Sequence, residues 1–572
     1  MQKKLTAWVG IAALTLLTVG CAGPSREKTA DVIYAGGTIV TVNDAQPIAE
    51  AVAVKDGRIL AAGARADVEK ANKGPQTKMV DLAGKTMTPG FVDPHGHFIF
   101  ALDMADQANV SAPPVGPASN PQQIVAELKK FAGARGIHPG ELVVGYGYDE
   151  NLMPKGHPLT RDDMDAVFPN NPVYVIHVSG HGAVLNSKAF AKYGISAATR
   201  TPAGGVIIRR QGSQEPAGLI METAYLPVFS NKPVATPQQE LDQLKFAQDL
   251  YASAGVTTAQ DGATHATDLE VLKRAAARNA LVIDVVAFPF FLELDPILAK
   301  NPPSTWGTYS NRFKIGGCKI VTDGSPQGKN ALFTTPYLTG GPSGEKNWKG
   351  EPSAPAEVIN DAMKKCYDQG LPVNVHANGD GAIDLAIKAH EYAAAGDLTK
   401  DRRTTIIHSQ FIRKDQLQKY VDYKLIPSFF TEHTYFFGDT HVLNRGKEQA
   451  YFMSPMKTAI GMGLRPTNHT DFNVAPIDQM FVVWTAVNRK SRSGEVIGPD
   501  ERVSPMEALK AITINAAYQY KEEGTKGSIE PGKLADLVIL SANPLTVAPD
   551  AIRDIKVVET IKEGKTIYQA KP

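Results

Sequence analysis

Apolar and polar residues alternate from residue 31 to 80, broken at Gly36-Gly37, Asp56-Gly57 and Gly63, and this pattern predicts several short strands joined by tight turns. The alternation returns near the C-terminus, where the segment 527–540 precedes the run 555–568, with a turn over Lys562, Glu563, Gly564 and Lys565. The two ends are expected to fold together as one small β-sandwich over 31–85 and 525–572, with Ile59, Val538 and Leu540 in its core. Between them, β-branched runs alternate with helical patterns such as 237–253 and 356–369, the signature of parallel βα units. Eight runs stand out, at 86–93, 255–261, 281–288, 313–321, 371–375, 404–407, 425–430 and 464–468. Eight is the number that closes a (β/α)8 barrel of TIM type, here expected over 86–97 and 236–524. The gap after the first run is too long for one βα unit and holds strand-like runs at 142–146 and 173–178. Residues 98–235 are therefore expected to form an inserted α+β domain that covers the barrel mouth and sets substrate size.

The 572 residues are 43% hydrophobic and 21% charged, which suits a large buried core and excludes a disordered or fibrous chain. With 60 basic against 59 acidic residues the charge is too balanced for a nucleic-acid partner. At the N-terminus Lys3 and Lys4 precede an apolar run from Leu5 to Val19 and then Gly20-Cys21. Residues 1–20 resemble a bacterial lipoprotein signal, although Thr18 stands where that motif usually has Leu. The resemblance implies lipid on Cys21, a tether over 21–30 and, with Ala22 next, an outer-membrane protein facing the periplasm. A membrane-spanning anchor or an uncleaved leader is the other reading of this run, and it too places the body outside the cytoplasm. Loss of Lys3 and Lys4 leaves the mature chain slightly acidic. Cys318 and Cys366 then remain to pair or to stay free, and each reads as a small buried hydrophobe.

Barrel enzymes place catalytic groups at the C-terminal ends of their strands, and ligand-type residues gather there in this chain. The first run ends in Pro94-His95-Gly96-His97, a spacing that returns both imidazoles to one face, within reach of one metal ion. The fourth run carries Lys319 where a barrel core normally holds a branched apolar side chain, and an unpaired buried ammonium is costly. A salt bridge to Asp323 or another acid is the plain reading. The sharper one is a carbamate, formed with carbon dioxide, whose two oxygens can hold two metals. Runs five, six and eight end in His376-Ala377-Asn378-Gly379-Asp380, His408-Ser409 and Asn468-His469-Thr470-Asp471, each offering a metal-competent or acid/base side chain.

These segments, "TMTPGFVDPHGH", "CKIVTDGS", "VNVHANGD", "IIHSQ", "HTDF" and "GSIEPGKLADLVIL", resemble the amidohydrolase superfamily, in the long amidohydrolase-3 branch that includes N-substituted formamide deformylases. The inserted stretch matches that branch in "GYGYDENLMP", "VYVIHVSGHGAVLNSKAF" and "AGLIMETA". The resemblance implies two divalent ions, with zinc favoured and iron or manganese acceptable to the same ligands. His95, His97 and Asp471 would hold one, His376 and His408 the other, and carboxylated Lys319 would bridge them. It implies hydrolysis of an amide C–N bond in a small molecule by a metal-activated hydroxide, with Asp471 as ligand and general base. His181 is the expected contact to the substrate carbonyl, and Tyr148, Asp149, Glu222 and Asp323 are expected around the substrate. A mononuclear deaminase or an ester or lactone hydrolase of the same superfamily is the alternative, and a ligand-binding lipoprotein without catalysis is a third reading. Self-association is common in the superfamily, so a homo-oligomer is compatible with the chain. The branch usually has Gly-Ser-Asp-Trp-Pro where "NHTDFNV" stands, so His469 and Phe472 are expected to reshape the pocket beside Asp471.

Overall fold

In the computed structural model, residues 29–571 are described, apart from 114, 203, 232–234 and 343. The leader over 1–20 and Cys21 lie outside them. No helix among the described residues is long and apolar enough to cross a membrane.

Eight parallel strands form the barrel: β1 (Phe91–Val92), β2 (Val256–Thr264), β3 (Asp284–Pro289), β4 (Phe313–Ile315 and Cys318–Val321), β5 (Val373–Ala377), β6 (Thr405–His408), β7 (Ile426–Phe429) and β8 (Thr467–Asn468). Hydrogen bonding runs β1 to the first part of β4 as one ladder and the second part of β4 to β8 as another. A parallel bridge between Phe290 and Lys319 joins the two ladders, and one between Gly96 and Phe472 closes the ring. The run 86–93 is two strands, not one. Thr86–Pro89 pairs in the small sheet, and the chain then crosses to β1 at Gly90, where a Cβ would stand 2.5 Å from the Thr257 hydroxyl. β4 is interrupted for a similar reason, since a Cβ on Gly317 would stand 2.3 Å from the Pro372 carbonyl oxygen. Cys318 on β4 and Cys366 on the helix Ala356–Asp368 are joined by a disulfide, so the pair is a covalent tie and not two free thiols.

The terminal segments do not make two stacked sheets. They form one hydrogen-bonded sheet ordered Lys565–Gln569, Val557–Lys562, Leu537–Leu540, Thr86–Pro89, Val32–Val40, Ile48–Lys55, Arg58–Gly63, with Lys78–Asp81 also beside Val32–Val40. The register shift between Ala35 and Ile39 lets the first half of that strand pair with Lys78–Asp81 and the second with Thr86–Pro89, which bends the sheet. The Arg58–Leu534 bridge brings the far edge round beside the C-terminal segment. Ile59, Leu537 and Ile539 pack inside this roll, while Val538 and Leu540 point the other way into the barrel's main apolar core, as strand alternation requires.

A six-stranded sheet, ordered Gly205–Arg209, Pro216–Glu222, Gly182–Leu185, Val173–His177, Val143–Tyr148, Ala108–Asn109, makes up the insertion. It begins later than residue 98. The helix Phe98–Met104 buries Phe98, Ala101, Leu102 and Met104 in the barrel core, so the barrel retains it.

A buried ionic network fastens the small sheet beneath β3. Asp284 Oδ2 lies 2.5 Å from Lys526 Nζ and 2.8 Å from Lys562 Nζ, and Lys562 also meets Asp536 at 2.7 Å. Burial alone would raise the Asp284 pKa, yet Lys526 and Lys562 hold it well below the ordinary 3.8. Its stabilisation is therefore present above that value and is lost as acid protonates the folded carboxylate. Asp284→Asn takes one of two acids from each buried ammonium group, leaving Lys526 with Glu522 and Lys562 with Asp536. We expect it to destabilise the chain by about 3–5 kcal/mol, read as a lower urea midpoint; an unchanged midpoint would count against the network.

Candidate metal centre

The rings of His95 and His97 are oriented from behind. Nδ1 of His95 lies 2.5 Å from Gln260 Oε1, and Gln260 Nε2 donates to the Pro94 carbonyl and the Tyr520 hydroxyl, both at 2.8 Å. Nδ1 of His97 lies 2.8 Å from the Gly262 carbonyl oxygen. Oxygens that only accept fix the proton on each Nδ1 and leave each Nε2 with its lone pair facing inward. Both Nε2 atoms converge on Asp471 Oδ1, at 3.2 and 3.3 Å. Burial, reinforced by Lys319, pushes the His95 pKa down to about 3, so this imidazole is neutral. Two lone pairs and a carboxylate oxygen then face one another with no proton between them, a donor set that calls for a cation. His95, His97 and Asp471 fit a divalent metal on that ground.

Asp471 reaches this position through a backbone at φ 50°, and its N–H donates to the His95 carbonyl across the closure of the ring. Burial works to raise its pKa, but the surrounding imidazoles, His408 first and then His95 and His97, hold it well below the carboxylate range. Lys319, 1% exposed, projects from β4 to within 3.1 Å of His95 Nε2. Among the described residues it has no carboxylate within ion-pair distance, so the salt bridge to Asp323 does not form. Burial lowers the Lys319 pKa to about 7, opposed by Asp471.

On the other side His408 Nε2 lies 3.1 Å from His376 Nδ1 and 3.9 Å from Asp471 Oδ2. His408 ends β6 at φ 70° and Ser409 follows at φ 43°, a left-handed pair that costs free energy and is typical of functional sites. The structure thus brings His95, His97, Lys319, His376, His408 and Asp471 together at one end of the barrel.

His181 and Glu222 come from the insertion. His181 Nδ1 lies 3.1 Å from Glu222 Oε2, and Asn330 Nδ2 donates to the other carboxylate oxygen at 3.0 Å. Glu222 raises the His181 pKa, against burial, and Asp471 contributes in the same direction. His181 thus lies close enough to Asp471 to feel its charge. Tyr148 and Asp323 are placed otherwise than expected. Tyr148 is buried in the core of the insertion, its hydroxyl accepting the Leu159 N–H. Asp323 is buried and accepts the N–H groups of Leu332, Asn378 and Gly379, so it ties loops together behind His376. Asp149 lines a cavity of about 250 Å³ with Phe436, Phe437, Phe472 and Arg492.

Gln260, Asn330 and Asn378 were missed from sequence. Gln260 carried a usable signal, an amide beside Asp261 in the C-terminal half of a barrel strand, and it is fully buried. Asn330 and Asn378 sit in loops whose pairing is set only in three dimensions.

A model of the amidohydrolase family matches residues 78–568. The N-substituted formamide deformylase of Arthrobacter pascens is 26% identical over 94% of this chain and 98% of its own length. The protein LONG AFTER FAR-RED 3 of Arabidopsis thaliana is 28% identical over 98% of this chain and 96% of its own. An uncharacterized metal-dependent hydrolase from Pyrococcus furiosus, 24% identical, covers 90% of this chain with all of its own and superposes with a TM-score of 0.71, which speaks for the fold alone.

Proposed function

The chain belongs to the amidohydrolase family and is a hydrolase of carbon–nitrogen bonds other than peptide bonds, and from that premise we propose that it cleaves a small-molecule amide with the help of two divalent ions. The convergence of His95 and His97 on Asp471 Oδ1 carries this reading. His95, His97 and Asp471 would hold one ion, His376 and His408 the other, and Lys319 as a carbamate would bridge them. The carbamate forms when the neutral Lys319 Nζ adds to the carbon of carbon dioxide; one C=O electron pair moves to oxygen and Nζ releases a proton. When bound, such ions supply an activated water and polarise the scissile carbonyl.

Asp471 accepts the proton of the attacking water at a carboxylate oxygen and returns it to the departing nitrogen. His181, held by Glu222, donates from Nε2 to the substrate carbonyl oxygen as negative charge develops there. The insertion that supplies both residues lies over the barrel mouth and sets the substrate's size. Formamides, acylated amino acids and peptide-like amides are the classes to screen, the first favoured by the deformylase relative. The buried Cys318–Cys366 disulfide supports an oxidising compartment, in keeping with a lipid on Cys21 and a periplasmic location.

The test is the metal-to-chain ratio by elemental mass spectrometry, on protein purified with bicarbonate and without chelator, alongside amine release from an amide library. About two ions per chain with amide turnover is expected. One ion per chain would move the reading to a mononuclear hydrolase or deaminase, and retention of none, with no activity on adding metal, would overturn it.

A further inference from the structure

The cavity of about 250 Å³ that Asp149 borders lies between the barrel and the insertion. One wall is the segment 472–477, which follows directly on Asp471. The Val474 N–H donates to the Asp471 carbonyl and the His97 N–H to the Phe472 carbonyl, both at 2.7 Å. Another wall comes from the insertion, where Val178 stands three residues before His181. The cavity is thus bounded by the two segments that carry Asp471 and His181. Because Asp471 returns a proton to the departing nitrogen, a cavity built on its turn falls on the amine side of the substrate. Most of the lining is apolar, and set into it is Arg492, partly buried. Its guanidinium carbon lies 5.2 Å from the ring centre of Phe436 and 5.8 Å from that of Tyr435, contacts that hold the plane in place. Among the described residues its buried Nε has no hydrogen-bond partner, and no carboxylate stands within ion-pair distance of the guanidinium. The acids that act on it through space are engaged elsewhere, Asp149 by Asn151 and Asp439 by Ser491 and Ser493. A guanidinium keeps its proton, so burial without a partner carries a cost that a bound anion would offset.

We propose that this cavity receives the departing amine and that Arg492 binds a carboxylate carried by that amine, so that the substrates are N-acylated amino acids with an apolar side chain. This rests on the reading of the chain as a hydrolase of small amides with Asp471 as the proton carrier. The planar fork of donors matches a carboxylate, and the apolar lining suits the side chain beside it. The volume is below the about 300–1,000 Å³ of sites that hold a whole ligand, in keeping with one half of a substrate. The competing account is that Arg492 only braces Tyr435 and Phe436 by stacking, which needs no anion.

Two amides that differ only in the carboxylate, N-formylphenylalanine and N-formylphenethylamine, separate the accounts. The full chain in detergent, loaded with metal, is assayed on both, as wild type, Arg492→Met and Arg492→Lys. The expected wild-type kcat/KM is about 10–100-fold higher for the acid, with the difference in KM. Arg492→Met is expected to abolish that preference by losing the acid and leaving the neutral amide unchanged, whereas Arg492→Lys, which keeps the charge without the fork, retains part of it. Calorimetric binding of the released amines, phenylalanine and phenethylamine, makes the same comparison without turnover. Equal wild-type turnover of the two amides, a preference that survives Arg492→Met, or an equal loss on both amides in that variant would overturn the proposal and leave amide hydrolysis standing. Failure to turn over any amide would instead overturn the hydrolytic reading, and equal binding of the two amines would then overturn the proposal as well.

Discussion

Asp471→Asn is expected to lower kcat by about three orders of magnitude or more with little change in the fold. The amide has the shape of the carboxylate, so the φ 50° turn and the backbone bond to His95 are preserved. What is lost is the negative oxygen on which His95 and His97 converge, which among the described residues is the only carboxylate within ion-pair distance of these imidazoles. Asn can neither take a proton from water nor return one to a leaving amine, and as a neutral ligand it would weaken binding of the ion that His95 and His97 would hold. Steady-state kinetics at saturating added metal separates the two effects. If the loss came only from metal affinity, excess metal would restore kcat; we expect it not to. A kcat within tenfold of wild type would remove Asp471 from the proton pathway.

The second large effect is expected at Lys319. Lys319→Ala should cost about 10²–10³ in kcat and reduce the metal content from two ions per chain toward one. The physical ground is the company this side chain keeps: an amine almost wholly buried, 3.1 Å from a neutral His95 nitrogen and, among the described residues, with no acid within ion-pair distance. As an ammonium it would repel the cations that the neighbouring residues attract, whereas as a carbamate it joins them as an anion. Truncation opens room for a small carboxylate, so formate or acetate should return part of the activity of Lys319→Ala and none of that of Asp471→Asn. The metal-free variant should be no less stable than wild type, because a costly buried charge has been removed. Full activity in Lys319→Ala, without added carboxylate, would exclude the bridging role.

The pattern of short apolar runs was informative because a barrel strand buried on both faces has little freedom in composition, and a polar residue at its end stands out. His376 is the last residue but one of β5, His408 ends β6 and Asp471 lies three residues past β8, so each was visible as an interruption of such a run. Strand limits were harder to see. The run 86–93 is continuous in hydropathy, yet it belongs to two sheets, since β pairing depends on which partner edge lies alongside and not on the strand's own sequence. The single rolled sheet at the chain ends could not be told from two stacked ones, because both need the same alternation. Phe98–Met104 looked like the start of the insertion only because its partners in the barrel are far along the chain.

The sequence by itself therefore determined the periodicity that builds parallel βα units and the chemical types of the residues at their ends. Both are properties of short segments and survive without knowledge of distant neighbours. Tertiary structure alone decided that the oxygens of Gln260 and Gly262 turn two lone pairs inward, that Asp323 fastens loops, that Cys318 and Cys366 pair, and that His469 is sealed against His95 and His408. Each of these depends on residues far apart in sequence, and a hydrogen bond, a disulfide or a ring contact exists only once the closed barrel has brought its partners within a few ångströms.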